Sequence, residues 1–201
     1  VVEPPANVLY GLFATMAVSA VCIALGLFYR MAVAAYFLAF TYVELIDQAL
    51  YLNHYYAVSL IAFLLFFLPL GEVGSFDAWR KESPRTTLPT WALVTVRTQL
   101  GLIYFFAGVA KLHPDWWGRA EPLRTWLLAR TDLPVLGPLF EYEQTAFAMA
   151  WAGLVFDLTV PFFLTWKKSR PFAYAAVVVF HTVTGSMFRI GLFPLLMILF
   201  T

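Results

Sequence analysis

Long apolar runs separated by short polar segments make up most of the chain. Seven runs have the length or spacing of helices: residues 8–28, 31–50, 55–70, 91–112, 145–166, 171–188 and 191 onward. A helix needs about 20 residues to cross the hydrocarbon layer of a bilayer, and the runs lack the alternation of an outer-membrane strand. The pattern predicts an all-α fold, a polytopic transmembrane bundle of about seven helices.

The longest polar interruption, residues 113–144, contains an amphipathic segment. Its stretch PLRTWLLAR has apolar residues at helical spacing and a tryptophan, which is typical of the headgroup layer. We predict an interfacial helix here. The chain contains no internal repeat and no segment the size of a soluble domain, so we predict a single transmembrane domain over residues 1–201.

The composition agrees with a membrane protein and excludes other classes. Hydrophobic residues make up 62% of the chain and charged residues 12%, against roughly 25% charged in soluble domains. A net charge of +1 gives no basic field for nucleic acid, so no such partner is expected. With Cys22 as the single cysteine, no internal disulfide can form. No basic stretch precedes the first run, so no signal peptide is expected.

The placement of lysine and arginine predicts the orientation in the membrane. If the helices alternate in direction, one side carries dense basic groups, namely Arg30, Arg80, Lys81, Arg85, Lys167, Lys168 and Arg170. The other side carries more scattered arginines mixed with acidic residues, namely Arg119, Arg124, Arg130 and Arg189. By the positive-inside rule the dense side is cytoplasmic.

Polar side chains recur between the second and third predicted helices, in ELIDQALYLNHYY. Glu44, Asp47, Tyr51 and His54 would share one face if the second helix continued to the turn. A face with two carboxyls, a phenol and an imidazole does not belong against lipid. It forms either a binding site or an interhelical network that only holds the bundle together, and the pattern leaves both interpretations open.

The stretch YFFAGVAKLHPDWWG brings an apolar helix to one lysine, Lys111. Lysines near helix ends commonly snorkel, with the ammonium at the water boundary. Alternatively, packing by Phe105, Phe106 and neighbouring helices keeps the amine dry and leaves part of it as free base, able to take a proton.

Two further ionisable residues lie inside predicted helices. His181 is followed by hydroxyl residues in VFHTVTGSMFRIGLF, although a lone histidine there is more often a satisfied core residue. Asp157 is near the middle of its helix, so it is either protonated or held by a partner on another helix; we favour a structural role. Glu44, Asp47 and His54 could approach His181, but no ligand pair has a diagnostic spacing, so no metal is predicted.

Five segments occur in a familiar order: LGLFYR, ELIDQALYLNHYY, QLGLIYFFAGVAKLHPDWW, WAGLVFDL and FHTVTGSMFRIGLF. Together they resemble the membrane domain of the vitamin K-dependent gamma-glutamyl carboxylases, also known in bacteria as the horizontally transferred transmembrane (HTTM) domain. The likeness extends over residues 25–193. Its most specific parts are the Asn53-His54 pair, the AGV-x-KL segment, and FH followed by FxIGxF.

The resemblance implies a membrane enzyme. In this family, vitamin K hydroquinone is oxidised with oxygen to an epoxide, and the strong base made in that step lets a substrate glutamate take up carbon dioxide. The implied ligands are membrane lipid, a reduced quinone, oxygen and carbon dioxide, with a glutamate-containing protein or peptide where carboxylation occurs. The implied location is a bacterial inner membrane, with the site toward the extracytoplasmic side.

The resemblance also implies roles for individual residues. The lysine of AGV-x-KL, regarded in the family as the base that deprotonates the hydroquinone, corresponds to Lys111. The histidines of the two other motifs correspond to His54 and His181, and these three residues are the expected catalytic group.

A second group of residues is expected to position the quinone. The family asparagine corresponds to Asn53 and the aspartate six residues earlier to Asp47, with Tyr51 between them. Asp157 and Glu44 are expected to be structural polar residues.

Some parts of the family pattern are expected to be absent. These are a first membrane helix before Val1 and the large lumenal domain of the animal enzymes after Thr201. The family often has tryptophan at Tyr51 and a second lysine at Ala110. These departures favour hydroquinone oxidation over carboxylation of a protein substrate.

The alternative function is a non-catalytic quinone- or lipid-binding scaffold. A small transporter is the least favoured of the three functions, since inverted repeats are not detectable.

Overall fold

The computed structural model describes residues 4–47, 52–81, 86–188 and 190–201. All regular structure within these ranges is helical, with ten α-helices and no strand. The all-α class predicted from the apolar runs is confirmed. Three residues used in the sequence argument, Tyr51, Arg85 and Arg189, lie outside the described ranges.

The helices follow one another as α1 (Ala6–Leu25), α2 (Tyr29–Ile46), α3 (Asn53–Phe67), α4 (Phe76–Trp79), α5 (Thr90–Ala110), α6 (Pro114–Arg119), α7 (Leu123–Leu128), α8 (Glu143–Thr165), α9 (Arg170–Met187) and α10 (Phe193–Phe200). The seven predicted runs correspond to α1, α2, α3, α5, α8, α9 and α10, while α4, α6 and α7 are short helices in polar segments. By length and composition α1, α2, α5 and α8 can each cross a bilayer. The chain is an integral membrane protein.

The first predicted helix ends earlier than expected, at Leu25. Gly26 has a left-handed backbone (φ 62°), and its N–H donates to the carbonyls of Cys22 and Ile23, which closes the helix. A Cβ at Gly26 would also collide with Ser75. Glycine is therefore required at this turn both by its conformation and by the close approach of Ser75.

The second predicted helix also ends earlier, at Ile46 rather than at residue 50. Asp47 has an extended backbone (φ −134°, ψ 114°), and His54 belongs to the next helix, α3. The single helical face expected from Glu44 through Asp47 to His54 therefore does not form. The predicted face is wrong because the helical spacing is lost at Asp47, where the backbone becomes extended.

The chain forms two compact units, Val1–Val96 and Arg97–Thr201. In the first unit α2 packs against both α1 and α3. The Tyr29 hydroxyl at the start of α2 donates to the carbonyl of Leu65 on α3, at 3.1 Å. This hydrogen bond ties the cytoplasmic end predicted for α2 to the end of α3.

In the second unit α8 contacts α6, α7 and α9, and α9 packs against α10. The segment predicted as an interfacial helix, PLRTWLLAR, forms α7, and the short helix α6 precedes it. Beneath these two helices lies a buried apolar cluster of Ala120, Leu123, Leu127, Phe140, Ala146, Ala150 and Met187. Trp126 of α7 remains 48% exposed. Packing on α8 therefore fixes the amphipathic segment, while its tryptophan stays at the surface.

Candidate functional site

Lys111 follows the last residue of α5, and its ammonium is directed into the second unit. Nζ donates to Oδ2 of Asp157 at 2.6 Å and to the carbonyl oxygen of Ala107 at 3.3 Å. The Lys111 side chain is 20% exposed and that of Asp157 is 6% exposed. The short distance is typical of a charge-assisted hydrogen bond. Lys111 therefore forms a largely desolvated pair with Asp157 across two helices.

An aromatic ring covers the amine, but it is a different ring from the ones expected. Nζ lies 5.1 Å from the centre of the Trp116 ring, within the range of a cation–π interaction. The Trp116 indole is held in place because its N–H donates to the carbonyl of Ala150 on α8, at 2.9 Å. Phe105 and Phe106, which were expected to pack around the amine, are 38% and 62% exposed.

The local sequence explains why Lys111 occupies this turn. Pro114 is the first residue of α6, and the Nδ1 atom of His113 accepts a hydrogen bond from the Asp115 N–H. Proline lacks an N–H and disfavours a helical residue before it, so α5 cannot run on into α6. The chain leaves α5 at Ala110, and Lys111 lies at the point where the helix axis changes.

Two glycines allow α5 and α8 to come close enough for the pair. A Cβ at Gly108 would lie 2.7 Å from the side chain of Leu158 and 2.9 Å from its backbone nitrogen. A Cβ at Gly153, one turn before Asp157, would lie 4.0 Å from Cε of Lys111. Small residues let membrane helices approach closely, so Gly108 sets the spacing that brings Lys111 to Asp157.

Replacing Gly108 by alanine is expected to force α5 and α8 apart and to cost about 1–3 kcal/mol by overpacking. The measurement is the free energy of unfolding in detergent. Gly101→Ala is the matched control in the same helix, because its Cβ would meet Pro161 at an ordinary 3.7 Å. Equal stability of the two variants would contradict the role given to Gly108.

A second buried pair lies in the same unit. Oη of Tyr104 is 3.0 Å from Nε2 of His181, and the two residues are 2% and 4% exposed. Oη is also 3.4 Å from the hydroxyl of Thr201. A phenol and an imidazole nitrogen can each donate or accept, so this contact satisfies Nε2 in either tautomer of His181. The histidine is a satisfied core residue with a defined partner.

Aromatic rings surround the His181 imidazole. Their centres lie 4.1–6.5 Å apart in a cluster that includes the rings of Tyr104, Phe156, Phe180 and Phe193. Phe156 is the neighbour of Asp157 on α8. The cluster therefore keeps water away from the imidazole and places it near the helix that holds Asp157.

Tyr104 is the site residue that the sequence argument missed. It lies seven residues before Lys111, at the start of the last two turns of α5. The signal was present in the quoted motif as this seven-residue spacing. A tyrosine in an apolar run nevertheless has the same local pattern as an ordinary packing residue.

The remaining candidates lie in the first unit. Asn53 and His54 are the first two residues of α3, and the His54 ring is 4.6 Å from that of Tyr55. Asp47 lies just beyond α2, and Tyr51 is outside the described residues.

Glu44 lines a cavity of about 230 Å³ between α2 and α3. The cavity also contains Thr41, whose hydroxyl is buried and has no hydrogen-bond partner among the described residues. Within those same residues, no three His, Cys, Asp or Glu side chains gather closely enough to hold a metal ion.

Comparison with known proteins agrees with the resemblance seen in the motifs. The family model of the HTTM domain matches residues 1–201. No solved structure matches the chain. HTTM domains are associated with the vitamin K-dependent carboxylase family. Because the match extends over all 201 residues, the chain belongs to the HTTM domain family.

Proposed function

We propose that this HTTM protein oxidises a reduced quinone, converting vitamin K hydroquinone and oxygen to the epoxide and water. One oxygen atom of O₂ enters the epoxide and the other leaves as water with the two hydroquinone hydrogens. The observation that carries the proposal is the desolvated pair of Lys111 and Asp157 at a helix end. A quinone with an isoprenoid tail partitions into lipid, so its head group can approach such a position from the bilayer.

The pair offers a way for lysine to act as a base. Moving the shared proton from Lys111 to Asp157 gives a neutral amine beside a carboxylic acid. A poorly hydrated site favours neutral groups over ions. The amine then takes the proton of the hydroquinone hydroxyl, and the resulting ammonium stabilises the phenolate beside it. Asp157 holds the proton while the amine is free, so the two residues act together in this step.

Supporting roles in this proposal belong to His181 and to three residues between α2 and the start of α3: Asp47, Asn53 and His54. His181 is held by its hydrogen bond to Tyr104, and its part in the reaction is taken from the family motif. The family motifs imply that Asn53 and His54 position the quinone and that Asp47 supports them. These roles rest on the family motifs, since Asn53 and His54 belong to the other compact unit.

A non-catalytic quinone- or lipid-binding scaffold is the second candidate. The observation that favours it is the full engagement of the Lys111 ammonium by Asp157, Ala107 and Trp116. An interhelical ion pair of this kind holds two helices together without any chemistry. In that case the pair would matter for stability alone.

The test is the reaction itself. Purified protein in lipid nanodiscs is given reduced vitamin K and oxygen, and the epoxide is separated and quantified; heat-unfolded protein measures the background. We expect epoxide from the folded protein. Its absence from a well-folded sample that still binds the quinone would favour the scaffold.

The same assay separates oxidation from carboxylation. A glutamyl peptide and labelled carbon dioxide are included, and label in the peptide is measured alongside the epoxide. Coupled carboxylation requires both products. Epoxide without label would limit the function to hydroquinone oxidation.

A further inference from the structure

A cavity of about 530 Å³ lies in the first unit, where α1, α2, α3 and α4 end or begin. Residues from the start of α2, the end of α3 and the region of α4 line it. Because α1 and α2 are both long enough to cross a bilayer and only residues 26–28 join them, this turn lies at a membrane surface. The cavity therefore opens at the level of the lipid headgroups, on the side that the basic residues mark as cytoplasmic.

Three cations line the cavity: Arg30, Arg80 and Lys81. All three are exposed, and in the part of the chain that the structure describes none of them forms a salt bridge. The Arg80 guanidinium lies 5.8 Å from the centre of the Phe28 ring, which orients it at the cavity. The cations are thus free to bind an anion.

The acidic residues of the cavity do not cancel this charge. Asp77 accepts hydrogen bonds from the backbone N–H groups of Phe28 and Tyr29, at 3.0 and 2.8 Å, and so caps the start of α2. Glu72 is the other carboxylate in the lining. The cavity therefore has three cations and two carboxylates in its lining, and one of the carboxylates caps a helix N-terminus. Its net charge is positive.

Exposed aromatic residues surround the same region. Phe28, Phe76 and Trp79 are 58%, 47% and 80% exposed. Aromatic side chains with an apolar body are typical of the layer where headgroups meet acyl chains. A ligand here meets positive charge and apolar rings together, which is the chemistry of a phospholipid rather than of a soluble anion.

We propose that this cavity binds the headgroup of an anionic phospholipid. Arg30, Arg80 and Lys81 hold its phosphate, since guanidinium and ammonium groups form charge-assisted hydrogen bonds to phosphate oxygens. The exposed aromatic residues contact the adjoining acyl chains. The proposal is independent of the quinone chemistry and uses none of its residues.

The experiment measures binding of phosphatidylglycerol to the full chain in detergent by native mass spectrometry, with phosphatidylcholine for comparison. The variant is Arg80→Gln/Lys81→Gln. We expect wild type to prefer phosphatidylglycerol and the variant to lose at least about ten-fold in affinity, because each cation near a lipid surface contributes to attraction of anionic lipid. Unchanged affinity in the variant would overturn the proposal.

Two controls address charge and folding. Lys167→Gln/Lys168→Gln removes the same charge from the same predicted membrane side but from the second unit, and binding is expected to stay unchanged. An equal loss of affinity in this control would show that net charge alone causes the effect, and it would overturn the proposed binding site. The exchange Arg80→Lys/Lys81→Arg keeps both charges and is expected to keep binding; a loss as large as in the glutamine variant would contradict the proposal.

Free phosphate carries the same anionic group as the lipid headgroup, so it is the alternative ligand for this cavity. Inorganic phosphate is titrated as a competitor against phosphatidylglycerol. We expect no displacement at concentrations well above that of the lipid. Displacement at equal concentration would assign the cavity to a soluble anion and overturn the lipid as its occupant.

Discussion

Replacing Lys111 by alanine is expected to reduce the rate of epoxide formation by at least about 100-fold, the usual contribution of a general base. The amine takes the hydroquinone proton in the proposed reaction, and no other amine is placed beside Asp157 in the described residues. The measurement is the initial rate of epoxide formation from reduced vitamin K in nanodiscs, at equal amounts of folded protein.

Lys111→Arg separates a base from a fixed positive charge. Arginine can still pair with Asp157, but its guanidinium does not release a proton in proteins. We therefore expect near-normal stability together with a loss of rate similar to that of the alanine variant. Lys168→Ala, at an exposed lysine, controls for removal of a cation and should keep the full rate. A fully active Lys111→Arg enzyme would show that the charge alone is sufficient and would remove the base role.

Breaking the pair from one side is expected to destabilise the protein by about 3–5 kcal/mol, the cost of leaving a buried charge without its partner. Lys111→Met leaves the Asp157 carboxylate unpaired, and Asp157→Ala leaves the ammonium unpaired. The double variant removes both charges and should recover much of the loss. The measurement is the free energy of unfolding in detergent for all four proteins of the cycle.

The cycle also tests the geometry. A coupling between Lys111 and Asp157 means that the two single losses sum to more than the loss in the double variant. Strictly additive losses would show that the two side chains do not interact. This outcome is independent of catalysis, so it applies equally to an enzyme and to a scaffold.

Most of the fold was predictable because a bilayer requires long apolar helices, which leave a clear record in the sequence. The ends of the helices were less predictable. The second helix was expected to reach residue 50, yet α2 ends at Ile46. An apolar run shows where a helix is favoured, whereas its end depends on contacts such as that of Gly26 with Ser75, which join residues far apart in the sequence.

In the candidate site, too, some features were predictable from the sequence and others were not. The sequence identified Lys111, Asp157 and His181 as unusual because ionisable groups are costly at membrane depth. It could not identify their partners. Lys111 reaches Asp157 because Gly108 lets α5 approach α8, and His181 on α9 meets Tyr104 on α5 through their side chains. Such pairings arise from tertiary packing and leave no local pattern.

The last two turns of α5 and the residue that follows them carry one member of each buried pair, Tyr104 and Lys111, so the length of this stretch links the pairs. One residue inserted between Tyr104 and Lys111 would rotate the lysine by about 100° around the axis and shift it by about 1.5 Å. Asp157 and His181 would then face side chains that no longer match. An insertion of three or four residues roughly restores the direction of the lysine but still shifts the amine by about 4.5–6 Å along the axis. The number of residues between Tyr104 and Lys111 is therefore expected to be fixed.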